Sequence, residues 1–209
     1  MANFVNWVDS TSPLLTAGVD EVGRGALFGP VVAAAVILPE QVWDDLANSG
    51  VRDSKKLTEK RRFSLAADIQ AVALDCQVGM ASVREIDRLN ILQASLLAMK
   101  RAVLKLNPGP ELVLVDGNQQ IRGLSIPQQT IVKGDSKCLA IAAASIVAKV
   151  WRDALIVRLA KKYPHYDLTK NKGYGTKKHK QGIVDYGVSP QHRLSFSPCQ
   201  LSLFPLFSQ

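Results

Sequence analysis

Ala17-Gly18-Val19-Asp20-Glu21-Val22-Gly23-Arg24-Gly25-Ala26-Leu27-Phe28-Gly29-Pro30 is the stretch from which the fold of this 209-residue chain is read. Leu14, Leu15 and then Ala17 to Val19 read as a strand, and two adjacent carboxylates stand where it runs out. Gly23-Arg24-Gly25 follows as a turn, because glycine reaches backbone angles that other residues avoid. The apolar run 31–38 reads as a second strand. A tip carrying Asp-Glu beside Gly-Arg-Gly joins hard oxygen ligands to a bare, donor-rich backbone. That combination suits a divalent cation beside a phosphodiester. Taken alone, the same residues also describe a solvated turn, so the rest of the chain decides.

Working outward, residues 44–56 are polar and predict an irregular segment around Val51-Arg52-Asp53-Ser54-Lys55-Lys56-Leu57. Thr58 caps a helix running through Ile69. A third strand is expected over 76–81, and Ser82 with Glu85 three positions on forms a capping-box pattern for a short helix. Asn90 caps a longer one, with Ile91, Leu92, Ser95, Leu96, Met99 and Val103 at helical spacing. Asn107-Pro108-Gly109-Pro110 ends it. Glu111 to Val115 is a short apolar strand that runs into Asp116-Gly117, and 126–132 is a fifth that runs into Lys133-Gly134-Asp135. An Ala-rich apolar helix covers 139–159, and a last one 176–186. Three strands in hairpin-like succession, then helices, two more strands and a helical end make an α/β architecture around one mixed sheet.

Asp20, Glu21, Asp116 and Asp135 each lie just past an expected strand. In open α/β sheets a ligand site lies beyond strand ends near a switch in strand order. Four acids gathered there repel one another unless cations neutralise them, and a pair of magnesium ions would do so while serving an in-line phosphoryl displacement. Asp116 and Asp135 are also ordinary turn or cap residues. Asp153 is excluded from the set: it lies 18 residues past Asp135, and helix over that interval would span ~27 Å. A salt bridge or surface role is expected for it. His165, His179 and His192 fall only in the C-terminal quarter, with no nucleophile-elbow pattern. His192 is read either as an aid at the edge of the site or as a plain hydrogen-bonding residue.

The net charge of +8 favours a polyanionic partner such as nucleic acid. Residues 161–180 carry seven Lys, no Arg and a single acid, around the loop Asn171-Lys172-Gly173-Tyr174-Gly175-Thr176. Cys76, Cys138 and Cys199 are odd in number and lack zinc-type spacing, which fits a reducing compartment. The N-terminus lacks the basic and apolar regions of a signal peptide, and no apolar run is long enough to cross a bilayer. The expectation is a cytoplasmic monomer with no membrane association.

Gly18 to Gly25, Asp53-Ser54-Lys55-Lys56-Leu57, Val115-Asp116-Gly117, Lys133-Gly134-Asp135 and Asn171-Lys172-Gly173-Tyr174-Gly175, in that order, resemble bacterial ribonuclease HII. Ser189-Pro190-Gln191-His192-Arg193-Leu194-Ser195-Phe196 resembles that family's C-terminal signature, and the likeness runs over residues 14–197. It implies a ribonuclease H-like fold: a five-stranded mixed sheet flanked by helices, with a small helical C-terminal extension. On that reading 1–160 is the catalytic domain, 161–197 a basic loop and helical region completing the substrate site, and 198–209 a flexible apolar tail. The implied activity is cleavage of the RNA strand of RNA–DNA hybrids, and incision 5′ to a lone ribonucleotide in duplex DNA, leaving a 3′-hydroxyl and a 5′-phosphate.

The resemblance makes Asp20, Glu21, Asp116 and Asp135 ligands of Mg2+ or Mn2+, with Asp20 bridging two ions. Gly23, Arg24 and Gly25 would meet the ribose 2′-hydroxyl, Tyr174 the sugar on the 3′ side of the scissile junction, and Lys55 and Lys56 phosphates. Ala26 departs from the family's usual proline. Gln200-Leu201-Ser202-Leu203-Phe204 resembles the peptide by which bacterial repair proteins dock on the sliding clamp; Gln200, Leu201, Leu203 and Phe204 are its anchors. The alternative is a tail packed back on the domain. A hybrid-binding adaptor on a degenerate nuclease fold and a resolvase- or integrase-like nuclease are the rival functions, and substrates differing by one 2′-hydroxyl separate them.

Overall fold

The computed structural model describes residues 14–51 and 57–200. Its strands are β1 (Thr16–Val22), β2 (Val31–Ile37), β3 (Asp75–Ala81), β4 (Leu112–Asp116) and β5 (Gln128–Ile131). The helices are α1 (Trp43–Asn48), α2 (Glu59–Val72), α3 (Val83–Leu89), α4 (Ile91–Val103), α5 (Leu139–Ala160), α6 (Leu168–Asn171), α7 (Lys177–Tyr186) and α8 (Ser197–Gln200). The sheet has the order β3-β2-β1-β4-β5. β1, β2 and β3 form an antiparallel meander, while β4 joins β1 in parallel and β5 joins β4 in parallel. The mixed α/β sheet expected from the sequence is therefore present.

Alternation along β1 sorts its side chains by face. Ala17 and Val19 join Ala33, Ala35, Val113 and Val115 under Ala98, Met99 and Ala102 of α4. On the opposite face, Ala34 and Val36 pack with Leu65 and Ile69 of α2 and Ala143, Ile146 and Val147 of α5. Covered on both sides, β2 is buried at every position, which is why it reads as an unbroken apolar run. Close approach of α5 depends on Gly18: a Cβ there would fall on the backbone of Ala140 and Ile141. Gly18→Ala is therefore expected to lift α5 from the sheet and cost about 3 kcal/mol by overpacking. Urea unfolding of the variant measures this, and an unchanged midpoint would refute it.

Local signals mark half of the helix starts. Thr58 accepts a hydrogen bond from the Arg61 N–H, Asn90 from Gln93, and Thr176 from His179. The Ser82–Glu85 capping box closes in both directions. Three expectations need correction. The segment 44–56 is not wholly irregular, because Trp43–Asn48 is helical and buries Leu46; a helix of six residues with one apolar anchor is too short to show a period. β5 is shorter than 126–132. β1 also does not stop before the acids: Asp20 pairs with Ala34 and Glu21 with Ala33, since the apolar length of β2 keeps the ladder going.

The C-terminal part packs on the turn between β1 and β2. Leu27 and Phe28 meet Ile156 of α5, Tyr166, Leu168, Ile183 and Cys199 in a separate small core. Backbone bonds from the Leu27 N–H to the Gly173 carbonyl (2.8 Å) and from the Gly29 N–H to the Gln191 carbonyl (2.8 Å) complete the junction. All three cysteines are free thiols. Among the described residues no helix is long and apolar enough to cross a membrane.

Candidate active site

β1 and β4 are adjacent and parallel, with Val19 opposite Val115. The next residue on each strand is an acid, so Asp20 and Asp116 emerge side by side at the point where the strand order switches. Asp20 is 5% exposed. Burial holds its carboxyl well above the ordinary carboxylate value, repulsion from Glu21 and Asp116 adds to this, and a hydrogen bond to Ser145 opposes it. Glu21 is raised too, by burial and by Asp116, against the opposing pull of Arg24. Three of the four expected acids thus feel one another's charge.

The fourth is tied in through the backbone. Asp135 is buried in the short turn Gly134–Ser136, and the Gly134 N–H donates to Asp116 Oδ1 at 2.6 Å. Among the described residues, no three His, Cys, Asp or Glu side chains close into a ligand group. Each of three acids is engaged by a local donor. Asp20 Oδ1 accepts from the Glu21 N–H (2.7 Å), Glu21 from Arg24 (3.2 Å) and Asp116 from Gly134. The donor set fits hard divalent cations nonetheless: buried oxygens, mutually repelling, with no lysine among the partners that raise or lower Asp20.

Beside the acids lies a cleft of about 450 Å³, walled by Glu21, the 22–25 turn, Arg62, Ser145, Ile146, Lys149 and Tyr174. It brings Gly23, Arg24, Gly25 and Tyr174 together. The two glycines differ. Gly23 has φ +92°, and a Cβ there would collide with the Arg152 guanidinium, so the fold itself requires it. Gly25 has open space where a side chain would be, so packing does not require its bareness. Tyr174 bridges to Ala26 and lies under two cations, Lys149 Nζ and the Arg152 guanidinium, each 5.6 Å from its ring centre.

Lys55, Lys56, Leu201, Leu203 and Phe204 lie outside the described residues, while Gln200 is exposed at the end of α8. Asp153 makes the salt bridge expected of it, to Lys149 at 2.9 Å. His192 is 1% exposed and bonded to Ser189 and His179; it does not line the cleft. Sequence reading missed Ser145, Lys149 and Arg152. Ser145, Lys149 and Asp153 recur every four residues along an otherwise apolar helix, a polar stripe that could have pointed to the cleft.

Buried beneath the turn, two guanidiniums donate their side-chain hydrogen bonds to main-chain carbonyls. Arg152 donates to Pro30 (3.1 Å), Lys172 (2.9 Å) and Phe28 (3.0 Å). Arg193 donates to Gly29 (3.0 Å) and Arg24 (2.8 Å). Burial lowers both from the usual arginine value, Arg193 to about 9. They fix the shape of the turn and join it to the Tyr174 loop.

A family model described as Ribonuclease HII matches residues 17–199. The Ribonuclease HII of Trichodesmium erythraeum is 80% identical over 201 residues, covering 96% of this chain and 95% of that protein. Among solved structures, the ribonuclease H2 from Pyrococcus horikoshii superposes with a TM-score of 0.76 at 27% identity, over 90% of this chain and 96% of that one. The RNase HII in a PCNA:RNase HII complex from Archaeoglobus fulgidus is also similar, with a TM-score of 0.72 at 29% identity, over 86% of this chain and 92% of that one.

Proposed function

Because the chain belongs to the ribonuclease HII family, metal-dependent nucleases that cut the RNA strand of RNA–DNA hybrids, we propose that it also incises duplex DNA 5′ to a single embedded ribonucleotide. The observation that carries this reading is that Glu21 and the bare 23–25 turn line one cleft, with Asp20 and Asp116 within electrostatic reach of Glu21 beside it. Asp20, Glu21, Asp116 and Asp135 are the residues that would hold two divalent ions, Mg2+ or Mn2+. When bound, such ions supply charge neutralisation and a nucleophile at neutral pH for an in-line displacement.

The chain's own groups do the rest. The N–H and C=O groups of Gly23, Arg24 and Gly25 contact the ribose 2′-hydroxyl, the one group that marks RNA within DNA. Tyr174 packs on the neighbouring sugar, held in orientation by Lys149 and Arg152. Arg24, Lys55 and Lys56 offer positive charge to phosphates, which fixes register without reading sequence. Ser145 orients the Asp20 carboxylate through its hydroxyl.

The test uses a DNA duplex with one ribonucleotide beside an all-DNA duplex, each with Mg2+, Mn2+ or chelator. Metal-dependent cutting solely on the 5′ side of the ribonucleotide is expected, with at least about a hundredfold preference over the all-DNA duplex. Cutting of both duplexes would favour a resolvase-like nuclease, and no cutting with either ion a binding protein.

The archaeal relative seen with PCNA supports a second, compatible role for the C-terminal residues, docking on a sliding clamp through Gln200, Leu201, Leu203 and Phe204. Cys199 has no exposed surface and belongs to the small core. A truncation that tests docking therefore removes 201–209 and leaves 198–200 in place. It is expected to abolish clamp binding and spare cleavage of free oligonucleotides; equal clamp affinity in both forms would sink the idea.

A further inference from the structure

Two histidines, neither in the cleft, meet ring to ring behind the Tyr174 loop. His179, in the first turn of α7, has no exposed surface, and His192 is 1% exposed. Their Nε2 atoms are 3.1 Å apart. At one end, the Ser189 N–H and the Ser189 hydroxyl each lie 2.9 Å from His192 Nδ1. At the other, His179 Nδ1 lies 2.9 Å from the Tyr174 carbonyl oxygen.

The two ends set the direction of the whole chain of bonds. A backbone N–H only donates, and the Ser189 hydroxyl, which already accepts from the Gln191 N–H, turns its proton toward the ring, so His192 Nδ1 is the bare nitrogen that satisfies both and its proton sits on Nε2. That proton is donated to His179 Nε2, which must then be bare, so the proton of His179 sits on Nδ1. A carbonyl only accepts, and the Tyr174 oxygen receives it. One arrangement satisfies every partner: His192 as the Nε2–H tautomer, His179 as the Nδ1–H tautomer, both neutral. An extra proton on either ring would set N–H against N–H. Burial pushes both rings below the usual histidine value, His192 to about 4. The Phe28 and Tyr166 rings stand edge-on to His192 at 5.2 and 4.6 Å between centroids.

We propose that His179 and His192 are positioning residues for ribose recognition, an ordered relay that carries the geometry of the Ser189–His192 turn to the main chain of Tyr174. The Tyr174 carbonyl also accepts the Thr176 N–H at 2.8 Å, and the imidazole supplies the second bond that fixes the plane of that peptide. The ring of Tyr174 thereby meets the sugar at a set angle. This purpose rests on the reading of Tyr174 as the sugar contact.

Nitrogen-15 NMR of the imidazoles in the intact native protein tests the relay directly. His192 is expected as the Nε2–H tautomer and His179 as the Nδ1–H tautomer; His179 in the Nε2–H form would overturn the proposal. Two variants then separate positioning from filling of space. Asparagine can place an N–H where Nδ1–H stands, whereas phenylalanine keeps the ring volume without a donor. With His179→Asn, hydrogen exchange of amides 171–176 is expected to stay near native, and with His179→Phe to rise about tenfold. Phenylalanine protecting the loop as well as asparagine would mean that packing alone matters, and would overturn the relay. Discrimination between ribonucleotide and all-DNA duplexes is measured alongside and is expected to fall with His179→Phe through KM more than kcat. Faster exchange with unchanged discrimination would keep the relay and overturn the sugar contact instead.

Discussion

Replacing Asp20 by asparagine is expected to abolish hybrid cleavage and, in the absence of metal, to make the protein more stable. Burial and the repulsion of Glu21 and Asp116 raise the Asp20 carboxyl, so the folded state carries a cost whenever that group is ionised. The sign follows from the direction of the shift. A folded-state value above the unfolded one means that folding binds the proton; stability from this group grows as pH falls through the folded value and is missing at alkaline pH. Asparagine has the same shape, keeps an oxygen for the Glu21 N–H and Ser145, and cannot ionise. In chelator at pH 8 the variant is expected to gain about 1–3 kcal/mol, roughly 2 °C or more in Tm for a chain of this length. The gap narrows as pH falls. Mg2+ should raise the Tm of the native protein and leave the variant nearly unmoved, while cleavage falls by at least about a thousandfold. A variant that melts below the native protein in chelator at pH 8 would show that these acids are not the strained cluster described.

Arg152→Met is expected to weaken both the fold and the cleft. Methionine matches the stem of arginine but leaves the carbonyls of Phe28, Pro30 and Lys172 without the donors they now have. Unsatisfied buried acceptors cost about 1–3 kcal/mol each; relief from burying a charge offsets part of this, for a net loss of about 3 kcal/mol. Since the guanidinium also lies over Tyr174, kcat/KM on hybrids should fall by about tenfold or more in addition. Lysine restores the charge without the three-pronged geometry, so Arg152→Lys is expected to behave like methionine rather than like the native residue. Thermal melting and steady-state cleavage together check this; a lysine variant indistinguishable from native would show that charge alone suffices.

What the sequence could reveal divides along the distance between partners. The strands, the helix caps and the acids at strand ends are written in neighbouring residues. Val113 to Val115 running into Asp116-Gly117 announces a buried strand and a polar end within five positions, and Asp153 is excluded by helix rise alone. The meander of three strands is equally local. By contrast, nothing near Arg152 says that its partners are Phe28 and Pro30, separated from it by 124 and 122 positions. In isolation it reads as a charged residue on the outer face of a helix. The pairing of His179 with His192 is hidden for another reason. They are only 13 residues apart, but a loop of no regular period intervenes, so spacing gives no angle between the rings. Ser145 was masked by composition, since a serine among alanines on a tightly packed helix looks like one more small residue.

The guanidiniums beneath the 23–30 turn hold it by its carbonyls, and a carbonyl is the same whichever side chain its residue bears. The information for the turn's conformation is therefore stored over a hundred positions downstream, at Arg152 and Arg193, rather than within the turn. A segment secured in this way keeps its path without rigid residues of its own, Gly23 apart. Ala26 is an instance: the rigidity that a pyrrolidine ring would supply from inside is supplied from below. The converse bears on engineering. Residues 23–30 moved alone into another sheet would lose their shape, whereas Arg24, whose side chain is exposed in that segment, can be changed in place with the backbone kept.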